Sequence, residues 1–322
     1  MASPSIATNL SLRLTHNILR VSNPKELINF YIEKFGMKEG GISQSASETY
    51  NISTVGYLSN PKSVQLEFHN VPNKSYTSQH KNEGRGVYWK IGVTLRDVDL
   101  AVDILQKKNV HVSNGKQFED IGYLCHLSDP NDFTIELLQH DFKQNFRKPQ
   151  PDTNFPELKQ PACIGQITLN VSDIKKTLTF YEQILGMKLL SIQDVSQYGF
   201  KLYFLAWTDE EPPKKRESND KRDNYTWDLY DATQNREWLW KRPYTTIELK
   251  HGGSVEPFVD LKDGDVGFEG LRITCNNLTS FETYMESKGI PVKNSSQGSN
   301  GRERVIRDPD NIPIFVTEDK NA

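Results

Sequence analysis

No stretch of this sequence stays apolar for the roughly 18 residues that a bilayer-spanning helix requires, so a membrane span is not expected. Charge of one sign is also missing: Lys+Arg 39 stands against Asp+Glu 42, for a formal net charge of −3. That balance gives no electrostatic footprint for nucleic acid or an anionic membrane. The start, MASPSIATNLSLRL, lacks the basic opening and apolar block of a secretory leader. Cysteine is scarce. Cys125, Cys163 and Cys275 lie far apart, without metal-type spacing or the even count of a disulfide framework. Such usage fits a reducing compartment, and the expected location is cytoplasmic. What remains is 36% hydrophobic and 25% charged over 322 residues, a globular composition with the length of two domains.

The sequence does contain an echo of itself. Gly165 to Leu190 reads GQITLNVSDIKKTLTFYEQILGMKLL. Gln166, Thr168 and Asn170 alternate with Ile167, Leu169 and Val171, the period of a half-buried strand. Ser172-Asp173 then offers side-chain oxygens to the free amides of a helix start. Leu178, Tyr181, Ile184 and Leu185 share a helical stripe, and Gly186 stands where a left-handed cap closes a helix. The same order occurs earlier, from His16-Asn-Ile-Leu-Arg-Val-Ser-Asn to Phe30-Tyr31 and Phe35-Gly-Met-Lys. His16 and Gln166 are 150 residues apart, as are Phe30 and Phe180, which marks an internal duplication.

Each half reads as two strand–helix–strand–strand–strand units. In the first half, strand Leu12–Val21 and helix Pro24–Lys34 precede strands Tyr50–Leu58 and Ser63–His69. A polar connection over 73–86 leads to strand Tyr88–Leu95, a helix over 97–108, and strands near Val110, Gly122–Leu127 and Phe133–Leu138. Phe142–Gln160 carries Pro149, Pro151 and Pro156 among polar residues and reads as a linker. The second half repeats the order, with one difference. A charged excursion over Thr208–Arg242 ends in the aromatic run Asn235-Arg-Glu-Trp-Leu-Trp, which could cover a site entrance or dock on the surface.

Sheets built from such units pack one face on helices and leave the other concave. Strand parity assigns Gln65, Glu67 and His69 to that concave face, with Thr246, Glu248 and Lys250 in the second half and Thr134 and Glu136 in the second unit. Three carboxylates among strong strand residues are costly on a concave face unless they are paired or metal-bound.

The motifs LRVSN…FYIEKFGMK, NVSD…FYEQILGMKLL, FKLYFLAW, TIELKH and SDPNDFTIELLQ resemble those of glyoxalase I (lactoylglutathione lyase), of the vicinal oxygen chelate superfamily, in its fused double-length form. The resemblance implies an α+β fold: four βαβββ units paired into two open-barrel domains of the glyoxalase/dioxygenase kind. The division expected along the chain is a first glyoxalase-like domain at 10–141, a linker at 142–160 and a second domain at 161–319, in a monomer with two pseudo-symmetric domains.

The family's metal site takes a Gln or His, a Glu, a His and a last Glu. Matched residue by residue, the first half offers His16, Glu67, Lys90 in place of His, and Glu136. The second half offers Gln166, Glu248, Gly270 in place of His, and Phe315 in place of the last Glu. If first unit pairs with fourth and second with third, one site keeps only His16 and Glu67, while the other has Gln166, Glu248 and Glu136 with Lys90. If each half closes on itself, the better site is His16, Glu67 and Glu136, again with Lys90. The implied cofactor is a divalent metal, zinc or nickel. An ammonium about 4 Å from a divalent ion is repelled by roughly 8 kcal/mol at an effective dielectric of 20. Lys90 therefore swings away, loses its proton, or replaces the ion by bridging the glutamates.

The implied reaction is isomerisation of the methylglyoxal–glutathione hemithioacetal to lactoylglutathione, with at most one working site. Glu136 is the base and Glu248 stands opposite it. The implied ligand is a glutathione-derived small molecule, with Arg20 and Asn70 in the first unit and Arg85 in the second at the family's glutathione-binding places. Asn170 and Val266 replace the arginines expected in the second half. Two other outcomes stay open: a superfamily member that binds a small ligand without catalysis, and a ring-cleaving dioxygenase using His16, for which only His69 could supply a second histidine.

Overall fold

The computed structural model describes residues 10–44, 51–71, 75–76, 86–214, 232–295 and 303–319. The first unit is β1 (Arg13–Val21), α1 (Pro24–Phe35), β2 (Lys38–Gln44), β3 (Asn51–Gly56) and β4 (Gln65–Asn70), followed by a short β5 (Ser75–Tyr76). The second is β6 (Tyr88–Leu95), α2 (Val98–Lys107), β7 (Lys116–Phe118), β8 (Gly122–Ser128) and β9 (Thr134–Gln139). The third is β10 (Ala162–Val171), α3 (Ile174–Leu178), β11 (Lys188–Val195), β12 (Phe200–Ala206), α4 (Gln234–Trp240) and β13 (Thr246–His251). The fourth is β14 (Asp265–Cys275), α5 (Leu278–Ser287), β15 (Lys293–Asn294), β16 (Glu303–Arg307) and β17 (Pro313–Glu318).

The echoed segments fold alike because the same local chemistry recurs. Asn23 caps α1 by accepting from the Glu26 N–H, and Asp173 caps α3 by accepting from those of Lys175 and Lys176. Gly36 and Gly186, each with φ of 72°, close the two helices in the left-handed region. α1 buries Leu27, Ile28, Tyr31 and Phe35, and Tyr31 lies over Phe68 of β4 with centroids 6.0 Å apart. The copies differ in one turn: α3 runs on as a π-helix over Thr179–Ile184.

Besides the two-residue strands β5 and β15, two longer strands have no counterpart in the sequence pattern. In β11, a register shift between Leu189 and Ser191 buries Leu189 and Leu190 together and hides the period of two. β2 carries Gly40 and Gly41, poor strand formers.

The units cross over. One sheet has the order β15-β16-β17-β14-β1-β4-β3-β2, with β5 alongside β14, and so joins the first and fourth units. The other, β11-β12-β13-β10-β6-β9-β8-β7, joins the third and second. Each half of the chain therefore gives one unit to each sheet, and a division at 142–160 divides the chain and not the sheets. That segment is docked: Leu158 is buried, and the Gln160 amide bonds both the N–H and the C=O of Asp97 at 2.7 Å. One contiguous apolar core draws residues from all four units. Where the sheets meet, Tyr88 of β6 stacks on Phe268 of β14 with centroids 4.6 Å apart.

Tyrosines tie one sheet's helix to the other sheet's turn. The Tyr31 hydroxyl donates to Asp129 at 2.9 Å, and the Tyr181 hydroxyl to Asp308 at 3.1 Å. Burial pushes both aspartates up to about 7, against the hydrogen bonds they accept.

Candidate active site in the second sheet

In the second sheet, Gln166 on β10 pairs with Gly92 on β6, and Thr168 with Lys90. Glu248 on β13 lies beside Thr168, and Glu136 on β9 beside Gly92 and His126 of β8. These side chains converge on the floor of a cavity of about 170 Å³. Its walls are mostly apolar, with Leu124, Leu138, Phe200, Phe204 and Trp240 prominent.

Glu136 is the most heavily engaged group. It accepts from Lys90 Nζ at 2.5 Å and from Gln166 Nε2 at 2.9 Å, and His126 Nε2 lies 3.0 Å away. Burial pushes its carboxyl up, but the Lys90 ammonium and His126 outweigh burial and hold it at about 2. For Lys90, burial disfavours the charge, yet Glu136 and Glu248 raise its pKa above the usual lysine value and keep it an ammonium. Glu248 accepts from the Thr168 hydroxyl at 2.5 Å. Burial and the Glu136 charge push it above the ordinary carboxylate value, against the pull of Lys90. The floor thus holds one tightly paired carboxylate and one that takes up a proton more readily.

The excursion before β13 covers this cavity. α4 docks on the second unit, with Trp240 Nε1 donating to the Ile121 carbonyl at 3.1 Å and Arg236 Nη1 to that of Asp120 at 2.7 Å. Trp240 packs edge-on against Phe204 with centroids 5.2 Å apart, so docking on the surface also builds the cavity wall. Residues 215–231 of the excursion lie outside the described residues.

The first sheet holds a different arrangement at equivalent places. His16 pairs with Arg272, and Ile18 with Gly270, the register of Gln166–Gly92 and Thr168–Lys90. Arg272 clasps Glu67 through two bonds of 2.9 and 2.8 Å and also bonds Glu303. Glu67 bonds His69 at 2.6 Å, His69 pairs with Glu269 at 2.7 Å, and Glu269 takes Arg20 Nε at 2.8 Å. This buried ladder alternates charge from Glu303 to Arg20 and runs across the concave face, with hollows of about 280 Å³ beside His16 and Arg272 and about 260 Å³ beside Arg20 and Glu269. Burial lowers His69, but Glu269 and Glu67 overcome that and raise it to about 9. His16, whose Nδ1 is 3.9 Å from Glu67, is lowered to about 4 by burial and stays neutral.

The sequence-predicted residues therefore divide. Gln166, Glu248, Glu136 and Lys90 come together on one floor, while His16 and Glu67 belong to the other sheet. Gly270 has φ of 152°, and a Cβ there would meet the Pro313 carbonyl oxygen at 2.4 Å, so that place cannot bear the expected histidine. Phe315, beside Arg272 in register, brings no donor. Arg20 is held by Glu269 and by the Leu261 and Lys262 carbonyls, and Asn70 lies half-buried at the end of β4. Arg85 lies outside the described residues. His69, between two carboxylates, is committed to the ladder and is not an open second ligand for dioxygenase chemistry.

Four residues that matter were not read from the sequence. Parity could have found two of them: Arg272 shares the face of Gly270, and His126 that of Leu124. Glu269 and Trp89 escape parity because each sits at a bulge, where the register jumps from Gly270 to Phe268 and from Lys90 to Tyr88.

Neither centre fits a divalent metal as it stands. In the second sheet the fourth place is a lysine already bonded to a would-be ligand; in the first it is Gly270, which brings no donor, and Arg272 from the next same-face position clasps Glu67. Among the described residues no group of three or more His, Cys, Asp and Glu side chains is arranged to hold a metal ion.

The model of the Glyoxalase/Bleomycin resistance protein/Dioxygenase superfamily matches residues 13–137 and 163–315. The chain belongs to this superfamily. Among its relatives, the lactoylglutathione lyase of Schizosaccharomyces pombe is 24% identical over 96% of this chain and 97% of its own. Glyoxalase I of Saccharomyces cerevisiae is 27% identical over 95% of this chain and 92% of its own. The crystal structure of glyoxalase I from Zea mays aligns with a TM-score of 0.64 at 18% identity, covering 98% of this chain and 95% of that one, a likeness of fold. The superfamily member described here is glyoxalase I-like along 95% or more of its length.

Proposed function

We propose that this glyoxalase I-like chain has one working site, the cavity of the second sheet, and that its ligand is the hemithioacetal of a 2-oxoaldehyde and glutathione. The observation that carries this is the contrast between the sheets: one concave face keeps an apolar-walled cavity with Glu248, free of ion pairing among the described residues, at its floor, while the carboxylates of the other, Glu67, Glu269 and Glu303, are all tied up in ion pairs. Glu248 is the group suited to move a proton. Its partner is the neutral Thr168 hydroxyl, whereas Glu136 is tied to Lys90, Gln166 and His126. Glu248 takes the proton from the carbon bearing the thioether and returns it to the neighbouring carbon, while Lys90 faces the developing oxyanion. The proton of the first carbon's hydroxyl passes to the oxygen of the neighbouring ketone, so the hydroxyl-bearing carbon becomes the thioester carbonyl, the ketone becomes the alcohol, and the step is redox-neutral overall.

The test is thioester formation from methylglyoxal and glutathione. Turnover falls at least about 100-fold in Glu248→Gln, and stays within about 2-fold in His16→Gln, which alters only the closed centre. Binding without turnover is the second reading, favoured by the Lys90–Glu136 ion pair. Its signature is saturable binding of an S-alkylated glutathione by wild type with no thioester formed.

A further inference from the structure

We infer that Lys90 is a built-in cation in the place of a divalent ion, and that this one side chain separates the second-sheet floor from a metal site. The inference deepens the proposed function, since it concerns the same cavity, but four side chains carry it and turnover does not enter. Gln166, Glu136 and Glu248 reach the floor from β10, β9 and β13, and Lys90 reaches it from β6. The Lys90 ammonium is 2.5 Å from Glu136 Oε2, so it occupies a position from which that carboxylate could otherwise bind an ion.

Gln166 supplies an independent sign. Its Nε2 donates to Glu136, while its Oε1 is buried with no hydrogen-bond partner. A buried amide oxygen without a donor is costly, and it becomes a useful hard ligand once a cation lies beside it. Gly92 keeps that amide in place, because a Cβ there would meet Gln166 Cγ at 2.3 Å. With lysine replaced by histidine, the floor offers two carboxylates, an amide oxygen and an imidazole, an oxygen and nitrogen set that zinc, nickel and cobalt accept.

The first sheet has made the same exchange by other means. There Arg272 neutralises Glu67 from a position two residues along the strand, opposite His16. Freeing that centre of its arginine would leave only His16 and Glu67, beside Gly270 and Phe315, too few donors for an ion. The chain as a whole therefore carries its own cations where metals would be held.

The test is metal content of the full-length chain after incubation with zinc, nickel or cobalt alone and removal of free ion. Wild type is expected to retain less than about a tenth of an ion per chain, and Lys90→His about one. Lys90→Gln, with an oxygen donor of similar length, is a second route should the histidine variant fold poorly. Adding Glu136→Gln to either should abolish retention. Wild type retaining about one ion, lost in Glu136→Gln, overturns the inference. So does failure of both folded Lys90 variants to bind any of the three metals, because the lysine would then not be what excludes the ion. Absence of isomerase turnover bears on the proposed function alone and leaves these outcomes readable.

Discussion

The two concave faces descend from one repeat and have diverged in what fills them. At the equivalent bulges, one sheet presents Trp89 and the other Glu269. Beside them stand Leu124 against Glu303, and His126 against Val305, by the register of β8–β9 and β16–β17. The second sheet thus has apolar walls around a small charged floor, and apolar walls leave space. The first sheet has the carboxylates Glu269 and Glu303 at two of those places, and each must find a partner when buried. The ladder from Glu303 through Arg272, Glu67, His69 and Glu269 to Arg20 is the outcome, and the hollows beside it, about 280 Å³ at His16 and Arg272 and about 260 Å³ at Arg20 and Glu269, are bordered by carboxylates and cations already paired with one another. A few wall residues, more than the ligand places themselves, decide which copy keeps a site.

The sharpest way to break this comparison is to remove the cation from each centre. Arg272→Met leaves Glu67 and Glu303 buried without their shared partner and should cost about 3–5 kcal/mol in denaturant unfolding. Arg272→Met with Glu67→Gln should recover part of that loss. Lys90→Met should cost less, about 2 kcal/mol, because Glu136 keeps His126 and Gln166. Equal costs at the two centres would mean that the ladder is not the more tightly coupled of the two.

A separate effect, read against pH, concerns what the two halves still share. Asp129 and Asp308 are held at about 7, above the ordinary 3.8. A raised folded-state pKa means tighter proton binding in the folded chain. The associated stability is therefore full below about pH 3.8 and is lost as pH rises through 7. Asp129→Asn and Asp308→Asn should each flatten the fall in stability between those limits, by similar amounts. Unfolding midpoints measured across that range check it, and a marked inequality would show that the tyrosine–aspartate ties are not equivalent.

Much of the frame was legible because it is repeated and periodic. The helix caps, the glycines at 36 and 186, and the concave parity of Gln166, Thr168 and Glu248 follow from local chemistry. Unit pairing was left open between two possibilities, since strand adjacency across 150 residues leaves no local mark. The site was half legible. Glu136, Glu248, Gln166 and Lys90 could be placed on concave faces, but which carboxylate is tied up depends on Lys90 choosing Glu136, a contact set by packing. Trp240 in the wall depends on how an excursion folds back, which periodicity does not report. The ladder stayed hidden because a bulge aims Glu269 and because Arg272 finds its partner Glu67 205 residues away along the chain.

The central claim, one working site in the second sheet and a first sheet whose charged groups are committed to one another, is tested most directly by calorimetric titration with an S-alkylated glutathione. The account predicts one ligand per chain, with binding abolished by Leu124→Trp, which fills the second-sheet cavity, and unchanged in Val305→Leu, which alters the concave face of the first. Two ligands per chain, or binding that survives Leu124→Trp and is lost in Val305→Leu, would contradict it.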